Sequence, residues 1–223
     1  MVFILVISTF FLAILADYFI VRTLAEKRAR RMVEGLGPAG TVPAMEPVIE
    51  YPENFQYDRS HTWAMLEPST VTVGLDDFTQ RFTGPIDRIE CAKPGEYVEK
   101  GQPIWTLYFG SRTITQKAPI SGRISQIHEE VLRDPSIVNQ DPYSTGWILK
   151  IQPKSVGEEA KTLMDHGQFQ EWNHLLKDKL LQEMHPTMGM VYGDRGELIN
   201  GAAKEIKTER WGQVIDFLFN TKA

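Results

Sequence analysis

Residues 104–116, Ile104-Trp105-Thr106-Leu107-Tyr108-Phe109-Gly110-Ser111-Arg112-Thr113-Ile114-Thr115-Gln116, hold two strand-like runs on either side of a two-residue break. β-Branched and aromatic residues dominate both runs, and such side chains suit a pleated, half-buried surface. Gly110 tolerates the positive φ of a tight turn, so the stretch reads as a hairpin turning at Gly110-Ser111. The pattern repeats outward in short runs at 71–73, 86–91, 122–128 and 147–151, with Gly84-Pro85, Pro94-Gly95 and Ser121-Gly122 between them. Closely spaced short strands of this kind predict a mainly β fold, a compact sandwich or flattened barrel. Residues 75–82 are the expected helical interruption.

Particular residues recur around that frame: Gly101-Gln102-Pro103, Ala118-Pro119-Ile120-Ser121-Gly122, Asp134-Pro135, Val138-Asn139-Gln140-Asp141-Pro142-Tyr143, Gly146-Trp147 and Lys150-Ile151-Gln152-Pro153. Together they resemble the glycine cleavage system H protein family. The constellation from Asp134 to Pro153 is the specific part, because Ala-Pro-x-Ser-Gly alone indicates only the wider lipoyl/biotinyl group. The resemblance implies a lipoyl/biotinyl-type β-sandwich with a carboxy-terminal helix. It also implies lipoate on one lysine at the tip of a tight hairpin. Laid without a gap from Gly101 to Gly122, the family pattern puts that lysine's place on Ser111, with Arg112 beside it. A hydroxyl cannot form the lipoyl amide. The family's acidic residue three positions earlier is Tyr108 here, and Lys117 falls down the second strand, away from the tip. The expectation is a carrier scaffold without its cargo, and no cofactor.

The chain has 223 residues, enough for one good core and a small second unit. Its organisation reads as an anchor helix with a charged extension (1–34), a Pro/Gly-rich linker or strap (35–54), the sandwich (55–165) and a helix-hairpin-helix extension (166–223). Residues 2–21 are almost wholly apolar, and about 20 helical residues at roughly 1.5 Å each match the roughly 30 Å hydrocarbon core. No positive region precedes the run, which favours a retained transmembrane α-helix over a cleaved signal peptide. Arg22, Lys27, Arg28, Arg30 and Arg31 follow it, so the positive-inside rule predicts a single-pass protein of the cytoplasmic (inner) membrane. Its N-terminus then lies outside and its folded domain in the cytoplasm. Asp17 falls near the cytoplasmic interface, where a carboxylate costs least. Gly37-Pro38, Gly40, Pro43, Pro47 and Pro52 block helix and sheet in the linker.

A net charge of −5 leaves no broad basic surface for phosphate backbones, so no nucleic-acid partner is expected. The single cysteine, Cys91, excludes an internal disulfide and a four-cysteine zinc site, and it reads as a buried, inert thiol. His61, His128, His166, His174 and His185 are scattered without a metal-ligand spacing. His61-Thr62-Trp63 matches the family's His-x-Trp and reads as packing. Asp76-Asp77 and Glu129-Glu130 are adjacent pairs whose side chains diverge, and the acids near the histidines read as surface types. No Ser-His-Asp signature, nucleophile elbow or Walker loop is present.

In the tail, Phe169, Trp172, Leu175, Leu176, Leu180 and Met184 fall at helical spacing, as do Trp211, Val214, Ile215, Leu218 and Phe219. Residues 190–200 read as a hairpin around Gly193-Asp194-Arg195-Gly196. The helices either pack back on the sandwich or bind a partner. At the hairpin tip, Tyr108, Phe109 and Arg112 are residue types enriched at interface cores, and they are the candidate docking set; the alternative is that strand alternation buries Phe109 alone and leaves Tyr108 and Arg112 as ordinary strand residues. The expected function is non-catalytic: a membrane-anchored accessory or assembly subunit, partnered by the lipid bilayer and other subunits of a membrane complex, with respiratory or other electron-transfer assemblies favoured. The alternative is a lipoyl-type group carrier of one-carbon or lipoate metabolism with an unusual attachment residue.

Overall fold

A computed structural model describes residues 51–154, 157–184 and 198–219. The expected spanning helix, its charged extension, the linker up to residue 50 and the turn at 193–196 lie outside the described residues. Among the described residues no helix is long and apolar enough to cross a membrane.

Among the described residues nine strands form two sheets: β1 (Gln56–Asp58), β2 (Thr62–Leu66), β3 (Val71–Leu75), β4 (Arg88–Cys91), β5 (Tyr97–Val98), β6 (Pro103–Phe109), β7 (Arg112–Lys117), β8 (Gly122–Ile127) and β9 (Leu149–Gln152). One sheet has the order β1-β2-β3-β9-β8-β5 and the other β4-β6-β7. All pairings are antiparallel. The predicted mainly β sandwich is the observed fold.

Alternation along the strands supplies the core. Ile114 and Gln116 of β7 are buried while Thr113 and Thr115 are exposed. Val71, Val73 and Leu75 of β3, Ile124 of β8 and Ile151 of β9 share one apolar cluster with Leu107 and Phe109 of β6. β3 is buried along its whole length because its second face is also covered. There Trp63 pairs across from Gly74, and any side chain at Gly74 would collide with the indole.

A second cluster joins Tyr51, Phe55, Tyr57, Trp63 and Phe169. Tyr51, part of the expected linker, is buried edge-on against both Tyr57 and Phe169. The family-like segment 134–147 is tied down by the Trp63 indole, which donates to the Pro142 carbonyl at 3.1 Å. The Tyr143 hydroxyl accepts from the Asp77 amide at 3.0 Å. Leading into and within that segment run two short helices, α2 (Glu129–Arg133) and α3 (Ser136–Gln140).

Helix α1 (Asp77–Thr83) is the predicted interruption. Asp76 caps it by accepting from the Thr79 amide at 2.8 Å, and Gly84 closes it at φ +67. A short helix α4 (Gly157–Ala160) precedes α5 (His166–Met184) and α6 (Thr208–Phe219). On α5 Phe169 and Leu176 are buried and Trp172 is half-buried, but Leu175 is 57% exposed. The expected stripe is therefore narrower: at 3.6 residues per turn, positions 169, 172 and 176 align and 175 is rotated away. The side chains of Leu180 and Met184 lie outside the described residues. Helix α6 packs back on the sandwich, with Val214, Leu218 and Phe219 buried.

Candidate functional site: the hairpin tip and its flanks

The turn between β6 and β7 has two residues, because Phe109 pairs with Arg112 across it. Gly110 takes φ +59, a region costly for residues with a Cβ, and nothing lies within 4 Å of where a Cβ would stand. Its amide donates to Asp87 Oδ2 at 2.6 Å, which ties the apex to the segment before β4. Gly110 and Ser111 are both exposed. The apex is thus a narrow, outward-pointing knuckle with a serine hydroxyl as its only side-chain chemistry.

The three residues expected to dock a partner are divided by the fold. Tyr108 is half-buried on the outer side of the sheet, where the Arg88 guanidinium lies 3.7 Å over its ring and its hydroxyl donates to Glu90 Oε2 at 2.6 Å. Phe109 has no exposed surface. Its ring meets Trp211 of α6 edge-on at 6.0 Å, and burying such a side chain contributes about 1.5–3 kcal/mol. Arg112 is taken up by the same extension: its guanidinium lies 4.5 Å from the Trp211 ring centre and Nη2 donates to the Ile206 carbonyl. Its Nη1 is buried without a partner, and burial lowers the guanidinium below its ordinary value. One flank of the tip is therefore covered by this chain itself.

The cover is firmly seated. Trp211 stacks parallel to Phe82 of α1 at 6.4 Å, and Phe82 also meets Phe219 at 6.1 Å. The turn before α6 reaches α1 through the Gly201 amide, which donates to the Arg81 carbonyl at 2.7 Å. The two backbones approach so closely that a Cβ on Gly84 would stand 2.9 Å from Gly201 Cα.

Behind the tip lies a buried polar pair that the sequence did not reveal. His61 Nδ1 stands 2.7 Å from Asp76 Oδ2, with both side chains fully enclosed. Asp76 is therefore no surface acid, and Asp77 beside it is 6% exposed. Phe78 stacks on the imidazole at 4.4 Å, and Trp172 and Phe219 each approach it to 5.2 Å. Gln116 of β7 donates from Nε2 to the His61 carbonyl at 2.8 Å, joining this pair to the hairpin. The one available signal was Asp76 standing three residues before Thr79, a helix-capping spacing.

Cys91 is half-buried on β4, and burial followed by the nearby Glu96 pushes its thiol up, away from reactive thiolate. Among the described residues no group of three or more His, Cys, Asp or Glu side chains is placed to hold a metal ion.

Comparison with known proteins matches residues 55–176 to the family described as glycine cleavage H-protein. The chain belongs to the glycine cleavage H-protein family. Similar to it is the glycine cleavage system H protein of Thermus thermophilus, 32% identical over 123 residues that cover 55% of this chain and 95% of that protein. The probable glycine cleavage system H protein of Pyrococcus furiosus is 36% identical over 121 residues, covering 54% and 90%. Among solved structures, the H protein from Mycobacterium marinum superposes with a TM-score of 0.51 at 25% identity, covering 56% of this chain and 99% of that one.

A lipoyl group of the kind the family implies needs an amine at the apex. Ser111 provides a hydroxyl. Lys117 is half-buried at the opposite end of β7, paired with Pro103, and Lys100 is held by the Pro119 carbonyl at 3.0 Å and Thr162 Oγ1 at 2.7 Å. The residues at this tip do not fit an amide-linked lipoyl group.

Proposed function

We propose that this chain is a non-catalytic, single-pass membrane-anchored accessory or assembly subunit of a larger membrane complex. Its H-protein-like domain serves as a docking module without lipoate. The observation that carries the reading is Ser111 alone at the apex of a well-formed hairpin: the scaffold that holds an acylated lysine is present, and the nucleophile for acylation is not. The apolar run at 2–21 with the following Arg22, Lys27, Arg28, Arg30 and Arg31 supports an inner-membrane anchor with the sandwich on the cytoplasmic side. Carrier folds meet redox enzymes, so a respiratory or other electron-transfer assembly is the favoured complex, by analogy of fold.

With Phe109 enclosed and Arg112 bound to the extension, Tyr108 and the Gly110-Ser111 apex are what the hairpin offers to another subunit. The test is to extract the native protein from membranes in mild detergent, identify every component in near-equal amount, and measure the intact mass of this chain. Stoichiometric membrane or redox subunits with an unmodified mass are expected. Recovery alone or with glycine cleavage enzymes, or a mass heavier by one lipoyl group, would overturn the reading in favour of a carrier.

A further inference from the structure

We infer that the C-terminal extension blocks the tip as a substrate for acylation independently of the missing lysine: a lysine restored at position 111 would still be refused by a lipoate-attaching enzyme because Trp211 occupies one flank. The inference rests on the reading of the domain as unlipoylated, and it concerns a different part of the molecule. Residue 111 itself is open, since its neighbour Gly110 has nothing within 4 Å of a built Cβ and both apex residues are exposed. The obstruction stands immediately beside them. Phe109 and Arg112, the residues on each side of the apex, both contact the Trp211 indole.

An enzyme that transfers an activated acyl group must keep that group from water, so it encloses the acceptor from more than one side. In the S111K variant the introduced ε-amine would attack the acyl carbon of an enzyme-bound lipoyl adenylate, forming the amide and releasing AMP and a proton. That approach requires both flanks of a narrow hairpin. Here the inner flank is filled by an indole held from behind by Phe82, on a helix whose Val214, Leu218 and Phe219 are buried to within 1% of their surface. Such a helix does not lift away at small cost. Refusal by an occupying side chain is a common way of excluding a partner.

The experiment uses the full chain in detergent as two variants, S111K and S111K/W211A, incubated with a lipoate–protein ligase, ATP, magnesium and lipoate. A glycine cleavage H protein serves as the positive control. Intact mass reports modification over time, and near-ultraviolet circular dichroism checks that both variants are folded. Val214, Leu218 and Phe219 remain to hold α6 when the indole is removed. The expected result is acylation at least about tenfold faster in S111K/W211A than in S111K. Equal rates in the two variants, whether both fast or both nil, overturn the inference. A lipoyl group on the unsubstituted chain would instead overturn the reading on which it rests, so the two failures are distinguishable.

Discussion

The imidazole of His61 and the carboxylate of Asp76 meet at 2.7 Å in a fully enclosed site between the sandwich and the aromatic residues of α5 and α6. Asp76 does two jobs, holding the imidazole through Oδ2 and capping α1 through Oδ1. Asp76→Ala removes both and leaves a buried ring nitrogen without its partner, at an expected cost of about 3 kcal/mol or more. Asp76→Asn keeps the cap and is expected to cost clearly less. Urea denaturation of the pair checks the order, and equal losses would refute the double role.

Arg112 carries a half-buried guanidinium whose partners are a carbonyl and an indole face, with no carboxylate among the described residues and with an enclosed, unsatisfied Nη1. Replacing a poorly compensated buried charge by an apolar side chain of similar length is often neutral or stabilising. Arg112→Met is therefore expected to change stability by no more than about 1 kcal/mol. Trp211→Ala, which strips Phe109, Phe82 and Arg112 of a shared contact, is expected to cost about 2–4 kcal/mol. Thermal or urea unfolding decides; a larger loss for Arg112→Met than for Trp211→Ala would contradict this account.

Two glycines in the family-like stretch should respond differently to alanine. At Gly122 a Cβ would stand 2.5 Å from the Gln152 carbonyl oxygen, a backbone atom of the paired strand that cannot rotate aside. Gly122→Ala is expected to cost about 2–3 kcal/mol through displacement of β8 from β9. Gly110→Ala meets no atom and bears only its positive φ, a cost of about 1 kcal/mol. Comparative denaturation tests the ranking.

Tyr57 and Tyr143 lie on the buried side of the β1 and 134–147 segments, and burial, followed by the charge of Asp76, raises both phenols well above the ordinary tyrosine range. A folded value above the unfolded one means that the neutral form is favoured in the folded state. The resulting stability is fully present below the ordinary value of 10.0 and is lost as pH rises beyond it. Absorbance titration should show at least these two of the 7 tyrosines resisting ionisation until the protein unfolds. Replacing each by phenylalanine should remove its share of a single late, cooperative step; gradual titration in the native state would disprove the assignment.

The sandwich was legible because its signals are local. Alternation in residues 104–116 and a glycine at the turn each act within a few residues of where they stand, while the constellation from Asp134 to Pro153 contributed only as a family resemblance. The helix at Asp77–Thr83 was legible for the same reason. Leu175 was misread because a run of apolar residues at spacings of three and four admits a neighbour that the helix rotates to solvent.

By itself the sequence determined six of the nine described strands (β3, β4 and β6 to β9), where the hairpin turns and that a hydroxyl stands at its apex, since all three follow from side-chain type and backbone sterics over short spans. Only the tertiary structure decided that Asp76 meets His61, that Phe109 is enclosed and that Trp211 stands against Arg112, residues far apart along the chain. Burial depends on what arrives from elsewhere in the chain, and an acid or arginine carries the same letter whether water or an indole covers it.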